Sequence, residues 1–216
     1  MTPIKINKAT LYNCDCMDYM ATLPDNYFEL AIVDPPYGIK EDGGKGRRNK
    51  SKYEKKNWDK ATPDENYFIE LFRVSENQII WGANYFCKKL MPTMGWICWD
   101  KKLDNSDFSD FELAYSSFNR AAKIFRHSKN GGSRTIAALS DYIHPTQKPI
   151  KLYEWLLTNY AKAGDKILDT HGGSFSSAIA CNNLGFEFVG MELDEDYYKA
   201  SIERITNANK QIRMFE

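Results

Sequence analysis

Short apolar runs and longer helical stripes take turns along this chain. Ala9 to Asn13 alternates as a short strand, and Cys16 to Leu23 reads as a short helix closed by Pro24. Glu29 to Val33 is a buried strand. Thr62 looks like an N-cap, with Pro63 at the first helical position and Glu65 completing a capping box. Tyr67, Phe68, Leu71 and Phe72 then form the apolar stripe of that helix. Gln78 to Trp81 is a strand, Asn84 to Leu90 a short helix, and Gly95 to Trp99 another strand. Ser109 is placed to cap a helical turn ahead of a strand at Ala122 to Arg126, and Gly131-Gly132-Ser133 is a break. Pro149 opens a helix with Leu152, Trp155, Leu156 and Tyr160 on one face, and Gly164 is placed to end it. Lys166 to Leu168 is a strand ending at Asp169. A helix runs from Ser174 to Gly185, a strand from Phe186 to Met191 is closed by Glu192, and Asp194 caps a last helix carrying Tyr198, Ile202 and Ile205. Strands alternating with helices predict an α/β fold, a doubly wound and mostly parallel sheet with helices on both faces. Ligands in such sheets bind beyond the carboxyl ends of the strands.

One strand ends unlike the others. Leu30-Ala31-Ile32-Val33 runs into Asp34-Pro35-Pro36-Tyr37-Gly38. Two consecutive prolines fix φ near −65° and remove two backbone donors, so the turn is stiff. It presents the Asp34 carboxylate, the Pro35 and Pro36 carbonyls and the Tyr37 ring together. That row of acceptors beside a stacking surface suits a planar group bearing an exposed amino group. A rigid surface turn is the plainer reading of the same residues.

Directly after this turn, Lys40 to Lys60 holds nine basic and four acidic residues, three glycines, and the aromatics Tyr53 and Trp58. The whole chain carries no formal net charge, so the remainder is acidic. A basic loop with interleaved aromatics tracks phosphates and stacks bases, although most charge runs are solvated surface. Lys45, Arg47, Arg48, Lys50 and Lys52 are its candidate nucleic-acid contacts.

A second chemical segment, Asp169-Thr170-His171-Gly172-Gly173-Ser174, follows a strand and opens a helix, with Glu192 ending the next strand. A strand, a glycine turn and a later carboxylate describe an adenosine site, the acid accepting from ribose hydroxyls. The spacing is not that of a dinucleotide fingerprint, and Asp169 opposes a pyrophosphate. It suits a cationic ligand. S-adenosylmethionine meets both demands.

The 216 residues fit one domain, 1–216, with the basic loop 38–61 inserted in it. Five scattered cysteines lack metal-type spacing and point to reduced thiols in a cytoplasmic protein, and no metal site is expected. No stretch approaches a membrane span.

Taken together, the two turns resemble the amino-group DNA methyltransferases, which methylate adenine N6 or cytosine N4. There an Asp-Pro-Pro-Tyr turn is the catalytic signature and an acid-led glycine turn binds the methyl donor. His144-Pro145-Thr146-Gln147-Lys148-Pro149 matches a third family motif, and Asn13-Cys14-Asp15-Cys16 is similar to the family's amino-terminal stretch. The catalytic motif comes first and the cofactor motif last, which resembles the permuted β group. The resemblance implies a Rossmann-like methyltransferase sheet and a compact, phage-type enzyme related to restriction-modification systems.

It also implies roles. Asp34, Pro35, Pro36 and Tyr37 would be catalytic. Asp169, Gly173 and Ser174 would hold the methionine end of the donor, Glu192 the ribose, Asp15 with Cys16 the adenine, and Lys148 would contact the donor carboxylate; Asp34, Pro35, His171 and Leu193 would also be cofactor-binding. DNA would be the partner, and the family leans toward a homodimer. His127 and His171 read as structural rather than as general bases. Phe175 departs from the usual cofactor turn and puts the backbone approach to the donor in question. Asp at position 34 favours adenine by family habit. Cytosine N4, RNA or protein-amide methylation, and a non-catalytic DNA-binding module with a degenerate pocket are the rival readings.

Overall fold

A computed structural model describes residues 2–43, 54–103, 109–128 and 142–213. The strands are β1 (Ile4–Ile6), β2 (Ala9–Asn13), β3 (Phe28–Val33), β4 (Ser75–Trp81), β5 (Ile97–Asp100), β6 (Phe111–Ser116), β7 (Lys123–Arg126), β8 (Lys166–Asp169) and β9 (Glu187–Glu192). The helices are α1 (Cys16–Met20), α2 (Glu65–Val74), α3 (Ile150–Tyr160), α4 (Ser176–Leu184) and α5 (Glu195–Arg213).

Among the described residues the strands form one sheet in the order β1-β2-β9-β8-β3-β4-β6-β5-β7. The block from β2 to β4 is parallel throughout. Antiparallel pairs flank it, β1 with β2 on one side and β6 with both β4 and β5 on the other. Beyond them β7 pairs with β5 in parallel, so the sheet is mostly parallel as expected, with antiparallel pairing confined to β1 and β6.

Period-two alternation splits the central strands between two cores. Leu30, Ile32, Ile79 and Trp81 pack with Leu152 and Leu156 of α3, Ile179 of α4 and Ile205 of α5. Ala31, Val33 and Ile80 face the other way, onto Tyr67, Phe68 and Leu71 of α2 and Met20 of α1. Each fully buried Leu, Ile, Val, Phe or Met side chain among them contributes roughly 1.5–3 kcal/mol. Two-sided burial is why these strands read as nearly continuous apolar runs.

Several boundaries move. Asp64, not Thr62, caps α2, its carboxylate accepting from the Tyr67 amide at 3.0 Å, so Pro63 lies outside the helix. The expected helix at 84–90 is two 3₁₀ turns, Ala83–Tyr85 and Cys87–Lys89. Helix α3 ends at Tyr160, and Gly164 (φ +95°) serves the following turn, in which Asp165 N–H bonds the Lys162 carbonyl. The largest miss is β6. Where the sequence suggested a helical turn after Ser109, Phe111–Ser116 is a central antiparallel strand. Glu112 and Ala114 are weak strand formers, and only pairing on both edges fixes them there.

Candidate active site

Chain direction opens the site. After β3 the chain runs through α2 to β4, and after β8 it runs through α4 to β9, on the opposite side in the sheet order. Strands β3 and β8 are adjacent and parallel, so a crevice forms at their carboxyl ends. Asp34 immediately follows β3 and Asp169 ends β8, which brings the two candidate acids to one crevice. Two cavities meet there, of about 900 and 400 Å³, and both are bordered by Asp34, Pro36, Trp58, Thr146 and Lys148.

The larger cavity is lined by Asp15, Cys16, Thr170 to Ser174, Glu192 and Leu193, among others. Asp15 caps α1 through the Met17 amide at 2.8 Å. Glu192 accepts from the Gly173 amide at 2.7 Å and from the Asp194 amide at 2.8 Å. It thereby ties the glycine turn to the end of β9. Gly173 has φ +52°, a conformation that glycine adopts at no steric cost. Burial pushes the Glu192 carboxyl up to about 7, against the pull of those two amides. Asp169 lies deeper, with its oxygens taken by the His171 amide (3.1 Å) and Ser177 Oγ (2.6 Å). It too is pushed up to about 7, chiefly by burial. Asp169 is 1% exposed and shapes the turn from beneath rather than lining the cavity. The half-buried imidazole of His171 is pushed down to about 4 by desolvation, and its Nδ1 lies 2.9 Å from Thr170 Oγ1. His127 is held by its backbone, its carbonyl accepting from Trp99 Nε1 at 2.8 Å.

Phe175 does not intrude on this cavity. Its φ of +49° turns the ring into the core, edge-on to Phe188 and directly against Gly172 and Gly190. A Cβ on Gly172 would lie 2.1 Å from that ring, and one on Gly190 2.4 Å. The departure from the usual motif fills core space and leaves the cavity wall to the backbone of Gly172 and Gly173.

The smaller cavity carries the Asp34 turn. Tyr37 Oη donates to Asp34 at 2.5 Å, and its ring stacks on exposed Tyr85 (centroids 5.2 Å, 16°). The ring also packs against Gly82, where a Cβ would lie 2.1 Å away. Lys148 is 4% exposed, so the sequence alternative of an exposed lysine at a helix start is corrected. Its ammonium bonds the other oxygen of Asp34 and lies 3.2 Å from Glu112 of β6. Lys101 completes the row, 3.3 Å from Glu112. Burial pushes the Asp34 carboxyl up, while the Lys148 cation and the Lys148 and Tyr37 hydrogen bonds pull it down.

The foot of the basic loop is pinched by Asp59, which accepts from the Gly38 and Glu41 amides at 2.7 and 2.8 Å. Lys56 reaches Asp194 (3.0 Å) and Asp196 (2.6 Å), and Trp58 packs on His144, which contacts Tyr197. Lys45, Arg47, Arg48, Lys50 and Lys52 lie outside the described residues. Sequence reasoning missed Glu112, Lys101 and Lys56 as parts of the site. No local motif marks them, because each acts across a distance of many residues. All five cysteines are free thiols. Among the described residues, no helix is long and apolar enough to cross a membrane.

A family model described as DNA methylase matches residues 78–203, more than half of the chain. The chain is 23% identical to the type II methyltransferase M2.DpnII of Streptococcus pneumoniae, over 94% of this chain and 92% of that protein. Among solved structures it is similar to the M1.HpyAVI–SAM complex (TM-score 0.59, 18% identity, 91% of this chain and 98% of that one). It is also similar to the PvuII DNA methyltransferase, described as cytosine-N4-specific (TM-score 0.62, 14% identity, 94% of this chain and 92% of that one). At those identities the two structures speak for the fold. The matched segment contains β8, the glycine turn, Glu192 and Lys148, and with it the chain belongs to the DNA methylase family of N6/N4 amino-group methyltransferases.

Proposed function

We propose that this chain transfers a methyl group from S-adenosylmethionine to the N6 amino group of an adenine flipped out of DNA. The observation that carries the reading is the meeting of two cavities at Asp34, one bordered by acids and the other by the stiff Asp-Pro-Pro-Tyr turn. The donor set fits its ligand: Glu192 offers a carboxylate to ribose hydroxyls, and further acids, Asp34 and Asp64 among them, border the larger cavity, where a cationic donor is welcome. Glu192 and Leu193 border the ribose, Asp15 and Cys16 the adenine, and the 170–174 turn the methionine end.

Bound there, the donor supplies an electrophilic methyl group. In the smaller cavity, Asp34 and the Pro35 carbonyl accept the hydrogens of the base amino group. That favours a pyramidal nitrogen with its lone pair turned toward the donor. Each Asp34 oxygen has a lone pair beyond those used by Tyr37 and Lys148. The base stacks beside the Tyr37–Tyr85 pair, reached only after extrusion from the duplex. Orienting two reactants can lower a barrier by about 7–11 kcal/mol where the bound geometry is a near-attack one. Lys45, Arg47, Arg48, Lys50 and Lys52 contact DNA phosphates, a cytoplasmic location goes with that partner, and a homodimer is the assembly the family resemblance favours.

Incubating the chain with isotope-labelled S-adenosylmethionine and bacterial DNA, then digesting to nucleosides, tests the reading. Label in N6-methyladenine is the expected result. Label in N4-methylcytosine selects the second reading, kept because the PvuII enzyme is cytosine-N4-specific. Donor binding without any labelled DNA nucleoside overturns both.

A further inference from the structure

Lys148 stands between two carboxylates that belong to different strands. It bonds Asp34 after β3 and lies 3.2 Å from Glu112 on β6. Its side chain is 3% exposed, so neither bond is a surface accident. Lys101 holds the far oxygen of Glu112 at 3.3 Å, and Lys148 also lies 3.2 Å from Tyr37 Oη. Four charges therefore alternate in a row, Asp34, Lys148, Glu112, Lys101, and cancel. An ammonium has three donors and no fixed plane. Given Asp34 as its only carboxylate, it would direct more of its hydrogens onto that group and occupy the lone pairs that a base amino group needs. A second carboxylate on its far side draws it off.

We propose that Glu112 is a positioning residue for methyl transfer, dividing the hydrogen bonds of Lys148 so that Asp34 keeps acceptor capacity toward the base. This rests on the assignment of Asp34 to the base amino group above. Glu112 touches neither donor nor base in this role and acts only through Lys148. The groups facing Asp34 are Lys148 from the segment before α3, Tyr37 from its own turn, Glu112 from β6, Asp169 from β8, Tyr153 from α3 and Tyr67 from α2. Of these, only Lys148 stabilises its ionised form by charge. Glu112 raises the pKa of Asp34 and that of Lys148 alike.

The test is Glu112→Gln, which keeps size and one acceptor while removing the charge. Calorimetry with S-adenosylmethionine should give a donor affinity within about twofold of the parent, since the residue borders only the smaller cavity. The turnover number on DNA should fall on the order of tenfold to a hundredfold, as for other misplacements of a reacting group. Both limbs of the pH–rate profile should move to lower pH, because Asp34 and Lys148 each lose a neighbouring negative charge. An unchanged turnover number, or lowered turnover with unmoved limbs, overturns the proposal. Should Glu112→Gln fail to fold, Glu112→Asp decides: retained charge on a shorter arm should lower turnover with the limbs in place, and parental turnover or moved limbs overturns the role. A parent enzyme that methylates no nucleic acid refutes the assignment of Asp34 before any variant is made, so the two failures are told apart.

Discussion

The two cavities are built by different means. In the donor cavity, backbone devices shape one wall: an N-cap at Asp15, the 170–174 turn, and Glu192 accepting amides from Gly173 and Asp194. The base cavity is made of side chains that converge from β3, β6, the end of β5 and the segment before α3. A turn built from backbone amides is written in a short stretch of chain. A row of alternating charges exists only after four distant segments have been packed. Damage to one cavity should therefore leave the other working, and this separation can be attacked directly.

The strongest attack is Asp34→Ala. Methyl transfer should fall by at least about a thousandfold, while calorimetry finds donor affinity within a few-fold. Equal loss of both would show that the cavities are one unit. Next comes Gly82→Ala, remote in sequence from either motif. Its φ is +70° and its new Cβ would overlap the Tyr37 ring, so Tyr37 must shift and loosen its hold on Asp34. Turnover should drop about a hundredfold with donor binding retained.

Glu192→Gln should strike the other cavity, weakening the donor about tenfold with a smaller change in turnover under saturating donor. The same acid sets a pH signature. Glu192 and Asp169 titrate near 7 in the folded chain, well above their ordinary values, because burial penalises their charge. The folded protein thus holds protons that the unfolded chain releases between about pH 4 and 7. Their contribution to stability is present below that window and lost as pH rises through it. The unfolding midpoint of the free protein should fall from pH 5 to pH 8. Ionised acids favour a cationic ligand, so donor affinity should rise over the same range, and Glu192→Gln should flatten that rise.

Lys56→Ala is the mildest. Its pairs with Asp194 and Asp196 are largely exposed on the Asp196 side, and such bonds are worth little on their own. A change of about twofold in donor affinity, vanishing at high salt, is the outcome to look for. A larger loss would make the foot of the basic loop an integral wall of the donor cavity.

What the sequence alone determined is local and one-dimensional. The apolar run ending in Asp34-Pro35-Pro36-Tyr37, the glycine turn after Asp169 and the acid at 192 each carry their geometry within a few residues, because prolines, glycines and caps constrain backbone dihedrals directly. The alternation of strands and helices likewise followed from periodicity. Tertiary structure decided the rest. Strand β6 holds Glu112 and Ala114, weak strand formers, because β4 and β5 pair with both its edges. Through β6 it placed Glu112 beside Lys148, and through the order of β3 and β8 it brought Asp34 and Asp169 to one crevice. Charge pairing and strand adjacency join residues far apart in the chain, and no short window of sequence contains both partners.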